Sequence, residues 1–140
     1  MALWDLAGQE RFQFMWQGFL RGSQILFVVT DSSPQNVLKT KMLLEQVESD
    51  IECFKKESRG AANIQCNINK LGFGYNRNSV KIVVIANKQD LPGSMRATQV
   101  ADLLGKPTYP MVAVDPKKRV EMYWILQQML ESMNNTTVAS

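Results

Sequence analysis

Val80-Lys81-Ile82-Val83-Val84-Ile85-Ala86, followed at once by Asn87-Lys88-Gln89-Asp90-Leu91-Pro92, decides how the rest of the chain is read. Apart from Lys81 the first run is apolar on both faces of an extended chain and rich in β-branched residues. That is the pattern of a parallel strand covered by helices on both sides. The polar residues behind it mark the carboxyl end of the strand, where sheets of this kind bind their ligands. Upstream, Ile25-Leu26-Phe27-Val28-Val29-Thr30-Asp31 is a second run of the same type, set between Gly22-Ser23 and Ser32-Ser33-Pro34. Downstream, Pro110-Met111-Val112-Ala113-Val114 predicts a third strand, and Ala2-Leu3-Trp4 the stub of a fourth.

Helices are expected between the strands. Phe12–Leu20 is short and aromatic. Ser32-Ser33 before Pro34 is a good helix start, and the helix it opens carries Val37, Leu38, Met42, Leu43, Leu44, Val47 and Ile51. Ala97–Leu104 places Val100, Leu103 and Leu104 on one face, with Gly105 as the residue that ends it. The last helix is expected over Arg119–Met133, with a core-facing stripe of Val120, Tyr123, Leu126, Met129, Leu130 and Met133. Trp4, Trp16 and Trp124 read as packing residues, Trp16 being the one placed to meet a partner. Strands alternating with helices predict an α/β fold with a mostly parallel sheet. Ser58–Ser79, rich in Asn and Gly, reads as a long inserted polar loop, and Asn134–Ser140 as a disordered tail.

Composition sets the outer bounds. The chain has 140 residues, 45% of them hydrophobic, enough for one core and not for two. A net charge of +3 is too mild for a nucleic-acid partner or an anionic membrane. The absence of histidine excludes histidine acid–base chemistry and His-ligated metals. Cys53 and Cys66 lack CxxC spacing, so neither a disulfide framework nor a zinc site is expected, and a reducing, cytoplasmic setting is the default. No apolar run approaches the roughly 18 residues of a membrane span. No signal peptide, myristoylation glycine or prenylated cysteine is expected either.

Two motifs carry the chemistry, and both sit at strand ends. Trp4-Asp5-Leu6-Ala7-Gly8-Gln9-Glu10-Arg11-Phe12 resembles the switch II signature of Ras-superfamily small GTPases, nearest the Rab type. Asn87-Lys88-Gln89-Asp90-Leu91-Pro92 resembles their guanine-specificity signature, nearest the Arf type. Taken singly, Asp5 reads as a strand-end carboxylate, Gly8 as a turn glycine and residues 87–90 as a polar loop. Their order and spacing around Ile25–Asp31 favour the family reading, which covers nearly all of the chain outside Ser58–Ser79 and the tail. Lys117-Lys118-Arg119 reads as a solvated basic turn.

The resemblance implies the three-layer Ras-like P-loop NTPase fold, with GTP or GDP and Mg²⁺ as ligands. It assigns Asp5 to the Mg²⁺ shell, Gly8 to close approach of a terminal phosphate, and Gln9 to orienting the attacking water. Asp90 accepts two hydrogen bonds from the N1–H and N2–H₂ edge of guanine, which adenine does not offer. Asn87 ties neighbouring loops together, the Lys88 stem covers the base plane, and the backbone N–H of Ala113 or Val114 meets the guanine oxygen. Regulators or effectors are implied at the switch II surface.

One departure is large. No Gly-x-x-x-x-Gly-Lys-(Ser/Thr) occurs in the 140 residues, and the switch I threonine segment is also absent. The expectation is therefore residues 1–133 of a small GTPase domain, incomplete at the N-terminus, with weak nucleotide binding and no hydrolysis by this chain alone. A separately supplied N-terminal half would complete it. The alternative is a nucleotide-independent pseudo-GTPase module that uses switch II as a binding surface.

Overall fold

The computed structural model describes residues 5, 13–20, 23–58 and 80–137. In chain order these form α1 (Gln13–Leu20), β1 (Ile25–Asp31), α2 (Pro34–Ser58), β2 (Lys81–Asn87), α3 (Ala97–Leu104), β3 (Thr108–Pro110) and α4 (Pro116–Thr137). The strands make one sheet in the order β1-β2-β3. β2 and β3 are parallel, with Val84 opposite Thr108 and Ala86 opposite Pro110. At one end of β2 the Lys81 N–H donates to the Gln24 carbonyl, and at the other the Ser32 N–H donates to the Asn87 carbonyl. β1 and β2 therefore also run in the same direction. The architecture is α/β with a parallel sheet, as the alternating pattern requires.

The chain divides into two compact units, Met1–Phe27 with Lys39–Val83, and Val28–Leu38 with Val84–Ser140. In the first, Trp16, Leu20, Val47 and Ile51 form a buried cluster, with Leu26, Leu43, Val80 and Ile82 packed against it. Trp16 is thus a core residue, which sets aside its reading as a partner-facing side chain. In the second, the buried apolar residues are Val37, Val84, Ile85, Ala86, Val100, Leu104, Met122 and Met129, and α3 lies against β3. Val83, Val84, Ile85 and Ala86 are all buried in succession, so both faces of β2 are covered. β1 differs. Its sequence is nearly as apolar, yet Val29 is 63% exposed and only Thr30 in the strand is buried.

Several expectations are corrected. β3 spans Thr108–Pro110 and not Pro110–Val114. After Pro110 the Met111 N–H still reaches the Ala86 carbonyl, but residues 112–115 then turn, closed by Asp115 N–H to the Val112 carbonyl. β-branched residues there serve a strand-end crossing, not a strand. On α2, Leu38 and Met42 are exposed while Val37, Leu44, Val47 and Ile51 are buried. On α4, Val120, Tyr123 and Trp124 are exposed, and Met122 and Met129 are the buried residues. Tyr123 and Trp124 meet edge to face, with ring centroids 6.2 Å apart. Both helices have apolar residues on adjacent positions, so the pattern offered more than one face and packing chose between them. α4 begins three residues early, at Pro116, and continues to Thr137, so residues 134–137 of the expected tail are helical.

Cys53 is disulfide-bonded, which overturns the expectation of no disulfide, and Cys66, the only other cysteine, lies outside the described residues. Pairing requires only that two Cα atoms come within about 4–7 Å, and sequence separation across an irregular stretch does not fix that distance. Of the expected loop Ser58–Ser79, Ser58 instead closes α2; its remaining residues, 59–79, and the expected stub at Ala2–Trp4 lie outside the described residues.

α3 matches its expected span and ends at Gly105, whose φ of 63° lets its N–H cap the Ala101 carbonyl at 2.8 Å. No atom would meet a Cβ there. Gly105→Ala is therefore expected to cost only the left-handed backbone penalty, about 1 kcal/mol. Val84→Ala removes a fully buried side chain and is expected to cost about 2 kcal/mol. Val29→Ala is expected to stay within about 0.5 kcal/mol. Urea unfolding monitored by circular dichroism checks all three.

Candidate functional site

The candidate site is built where β1 and β2 end together. Asn87 is the last residue of β2, and its carbonyl accepts two hydrogen bonds from Ser32, one from the backbone N–H at 3.1 Å and one from Oγ at 2.6 Å. Ser32 is fully buried. Its Oγ also accepts from Gln89 Nε2 at 2.6 Å, and its carbonyl accepts from the Met95 N–H at 2.7 Å. Gln89 Nε2 donates a second bond to the Met95 carbonyl at 2.9 Å. One buried hydroxyl thus joins the end of β1, the end of β2 and the segment that leads into α3. The Ser32 hydroxyl, N–H and carbonyl are all paired, as burial demands.

Lys88 follows in the left-handed region, with φ of 61°. For a residue with a Cβ that conformation costs about 1–2 kcal/mol, so it needs support from its neighbours. Support comes at both ends of the residue. The Lys88 carbonyl accepts from the Leu91 N–H and from Ser94 Oγ, and Lys88 Nζ lies 3.1 Å from Asp31 Oδ2. Asp31 Oδ1 accepts the Ser33 N–H at 2.8 Å. That backbone bond first, then the Ser33 hydroxyl and the Lys88 ammonium, hold the Asp31 carboxyl far below the usual carboxylate range. The reversed turn leaves Asp90 exposed, and among the described residues nothing pairs with its carboxylate.

The third strand closes the site from the other side. The Gln89 N–H donates to the Met111 carbonyl, and the Ala113 N–H donates to Asn87 Oδ1 at 3.1 Å. Arg119, in the first turn of α4, donates from Nη1 to the Ala113 carbonyl. The Ala113 N–H is therefore engaged, while the N–H of Val114, which is 80% exposed, has no partner among the described residues.

Of the residues singled out by sequence, Asn87, Lys88, Asp90, Ala113 and Val114 come together here. Asp5 is exposed and unpaired among the described residues, and Gly8 and Gln9 lie outside them. Among the described residues no three His, Cys, Asp or Glu side chains gather as a metal site. Asp31, Ser32, Gln89 and Ser94 were not anticipated as site residues. The signal was present, since Asp31 and Ser32 stand at the carboxyl end of a strand. By sequence pattern alone Ser32-Ser33 reads as the start of α2.

Residues 1–59 match the family described as Ras of Complex, Roc, domain of DAPkinase. ADP-ribosylation factor-like protein 6 of Caenorhabditis elegans is 29% identical over 75% of this chain and 44% of its own length. ADP-ribosylation factor-like protein 8b of Arabidopsis thaliana is 28% identical over 74% and 44%. ADP-ribosylation factor-like protein 5 of C. elegans is 28% identical over 76% and 47%. The chain spans about half the length of these curated relatives.

Because folding lowers the Asp31 pKa, its contribution to stability is complete above the ordinary value of 3.8 and is lost as the pH falls through the much lower folded value. Asp31→Asn is expected to lower the melting midpoint at neutral pH. The gap to the parent chain should narrow steadily once the pH drops below 3.8. Thermal melts across that range check the direction, and a gap that widens in acid would contradict it.

Proposed function

We propose that the chain belongs to the Ras superfamily of small GTPases, which its matched residues 1–59 and its ADP-ribosylation factor-like relatives resemble, and that its described residues form the guanine-reading side of a GTP-binding switch. The observation that carries this reading is the unpaired, exposed Asp90 carboxylate at the carboxyl end of β2, held beside the Asn87–Ala113 tie. Asp90 accepts from the N1–H and N2–H₂ groups of guanine, and the free N–H of Val114 donates to O6. Adenine presents the opposite pattern on that edge and would leave the carboxylate unpaired. The Lys88 stem, anchored at its tip by Asp31, supplies apolar cover for one face of the base. Asn87 holds the two loops in register and Ala113 is its partner.

The phosphate side is a different matter. No phosphate-cradling motif occurs in the 140 residues, so hydrolysis is assigned only to a complex that supplies one. In that complex Gly8 and Gln9 would face the terminal phosphate and the attacking water, and Asp5 would join the magnesium shell. The matched relatives are roughly twice the length of the aligned region, and β1 is a strand of buried composition lying at an end of the described sheet. A strand from an N-terminal half, in the same polypeptide or another, is the partner this edge fits. Residues 1–133 are then the part of the GTPase domain this chain supplies, with residues 58–79 inserted. Regulators or effectors would meet switch II. The cytoplasmic setting rests on the family alone, and the Cys53 disulfide counts against a strongly reducing compartment. The second reading is a nucleotide-independent pseudo-GTPase module that uses the switch II surface.

Guanosine tests the base site without needing phosphate contacts. Titrated into the ¹⁵N-labelled chain, it is expected to shift the amides of Asn87–Asp90 and Val114 with a Kd on the order of 1 mM. Adenosine should leave them unmoved, and Asp90→Ala should weaken guanosine at least about tenfold. Equal shifts by both nucleosides, or none, would favour the pseudo-GTPase reading.

A further inference from the structure

We infer that Asp31 and Ser32, at the end of β1, are positioning residues for base recognition, acting through Lys88, Gln89 and Asn87. This rests on the guanine-reading assignment and extends it to residues that touch no base. The two side chains divide the task. Ser32 sets where the loop begins, because its N–H and Oγ both bond the Asn87 carbonyl and its Oγ receives Gln89 Nε2. Asp31 sets where Lys88 points, because Oδ2 takes the ammonium while Oδ1 is fixed by the Ser33 N–H.

A strand-end serine can cap a helix from the solvent side, yet Ser32 is fully buried and its hydroxyl spans to a residue 55 positions away. A surface ion pair contributes little to stability, yet the Asp31–Lys88 pair joins a carboxylate already ordered by backbone to a residue in an unfavourable φ. What both contacts specify is direction. The left-handed turn at Lys88 needs an external tether, and that turn is what sends Gln89 inward to Ser32 and Asp90 outward. The Asn87 side chain, with its carbonyl pinned by Ser32, is left to receive the Ala113 N–H, which leaves the neighbouring Val114 N–H as the donor offered to a ligand. The recognised chemistry is a purine edge with two adjacent donors and one acceptor, so a small rotation of this loop should erode selectivity before it erodes folding.

The test uses the full 140-residue chain, ¹⁵N-labelled, with amide hydrogen exchange and guanosine, inosine and adenosine titrations. In Ser32→Ala the Gln89 and Ala113 amides should exchange at least about tenfold faster, with the Val100 and Gly105 amides of α3 unchanged. Asp31→Asn keeps an acceptor for Ser33 but drops the charge that holds Lys88. It should leave Gln89 protected and reduce the preference of guanosine over inosine, which lacks the 2-amino group. Asp31→Glu, which restores the charge, should recover part of that preference. If Ser32→Ala fails to fold, Gln89→Met removes the same donor at similar volume and should give the same local exchange pattern. Unchanged exchange at Gln89 and Ala113, or acceleration spread evenly into α3, overturns the inference. If guanosine does not shift the parent chain, the base-reading assignment fails, while the exchange pattern still decides whether Ser32 positions this loop.

Discussion

The Asn87 carbonyl takes two hydrogen bonds from Ser32, and the geometry of the strand ends depends on that junction. Strand ends are where backbone polar groups lose their ladder partners, and a buried group left unpaired costs about 1–3 kcal/mol. Here the buried Ser32 hydroxyl and backbone N–H meet one carbonyl, and the hydroxyl oxygen accepts a bond from Gln89. The same Gln89 side chain closes on the Met95 carbonyl. The chain between β2 and α3 therefore turns back at a fixed place and not over a range of places. With that turn set, Lys88 takes its left-handed conformation and Asp90 is delivered outward.

Burial along the strands separates what is finished from what is open. β2 is covered on both faces through Val83–Ala86, whereas β1, of nearly the same composition, has Val29 exposed. Helix α4 shows the same division, with Met122 and Met129 inside and Val120, Tyr123 and Trp124 outside. The groups proposed to read the base sit at the carboxyl end of β2 and on the crossing after β3, with the end of β1 packed against them by backbone pairing. Asn87, Lys88 and Asp90 are thus presented by rigid strand ends. This is how α/β sheets place recognition groups on loops while keeping them precise.

Much of this was legible in the sequence. β1 was expected over its observed span, β2 within a residue, and α3 from Ala97 to Leu104 with Gly105 behind it. Those elements carry unambiguous signals: continuous apolar β-branched runs, and a periodic helix ended by a glycine that alone tolerates its φ without strain. The family resemblance also implies that Asn87, Lys88 and Asp90 lie near Ala113 and Val114, and the Asn87–Ala113 bond brings the two segments together at one edge of the sheet. Less was readable where apolar residues sit side by side. Val37-Leu38, Leu43-Leu44 and the run from Met122 to Leu126 each permit more than one buried face. Pro110–Val114 has strand composition but no strand partner beyond Pro110, since its neighbour β2 ends at Asn87.

Local composition by itself determined the order of strands and helices, the parallel sheet and the edge on which recognition residues gather. It did so because those features follow from side-chain periodicity and from the stereochemistry of proline and glycine, both properties of neighbouring residues. Only the tertiary structure decided which helix faces are buried, that Cys53 is bonded, that the Ala113 N–H is spent on Asn87 while that of Val114 is free, and that Asp31 and Ser32 govern the loop. Each of these rests on a contact between residues distant in sequence. The hydroxyl of a strand-end serine has the same composition whether it caps its own helix or, as here, bonds the carbonyl at the end of the next strand.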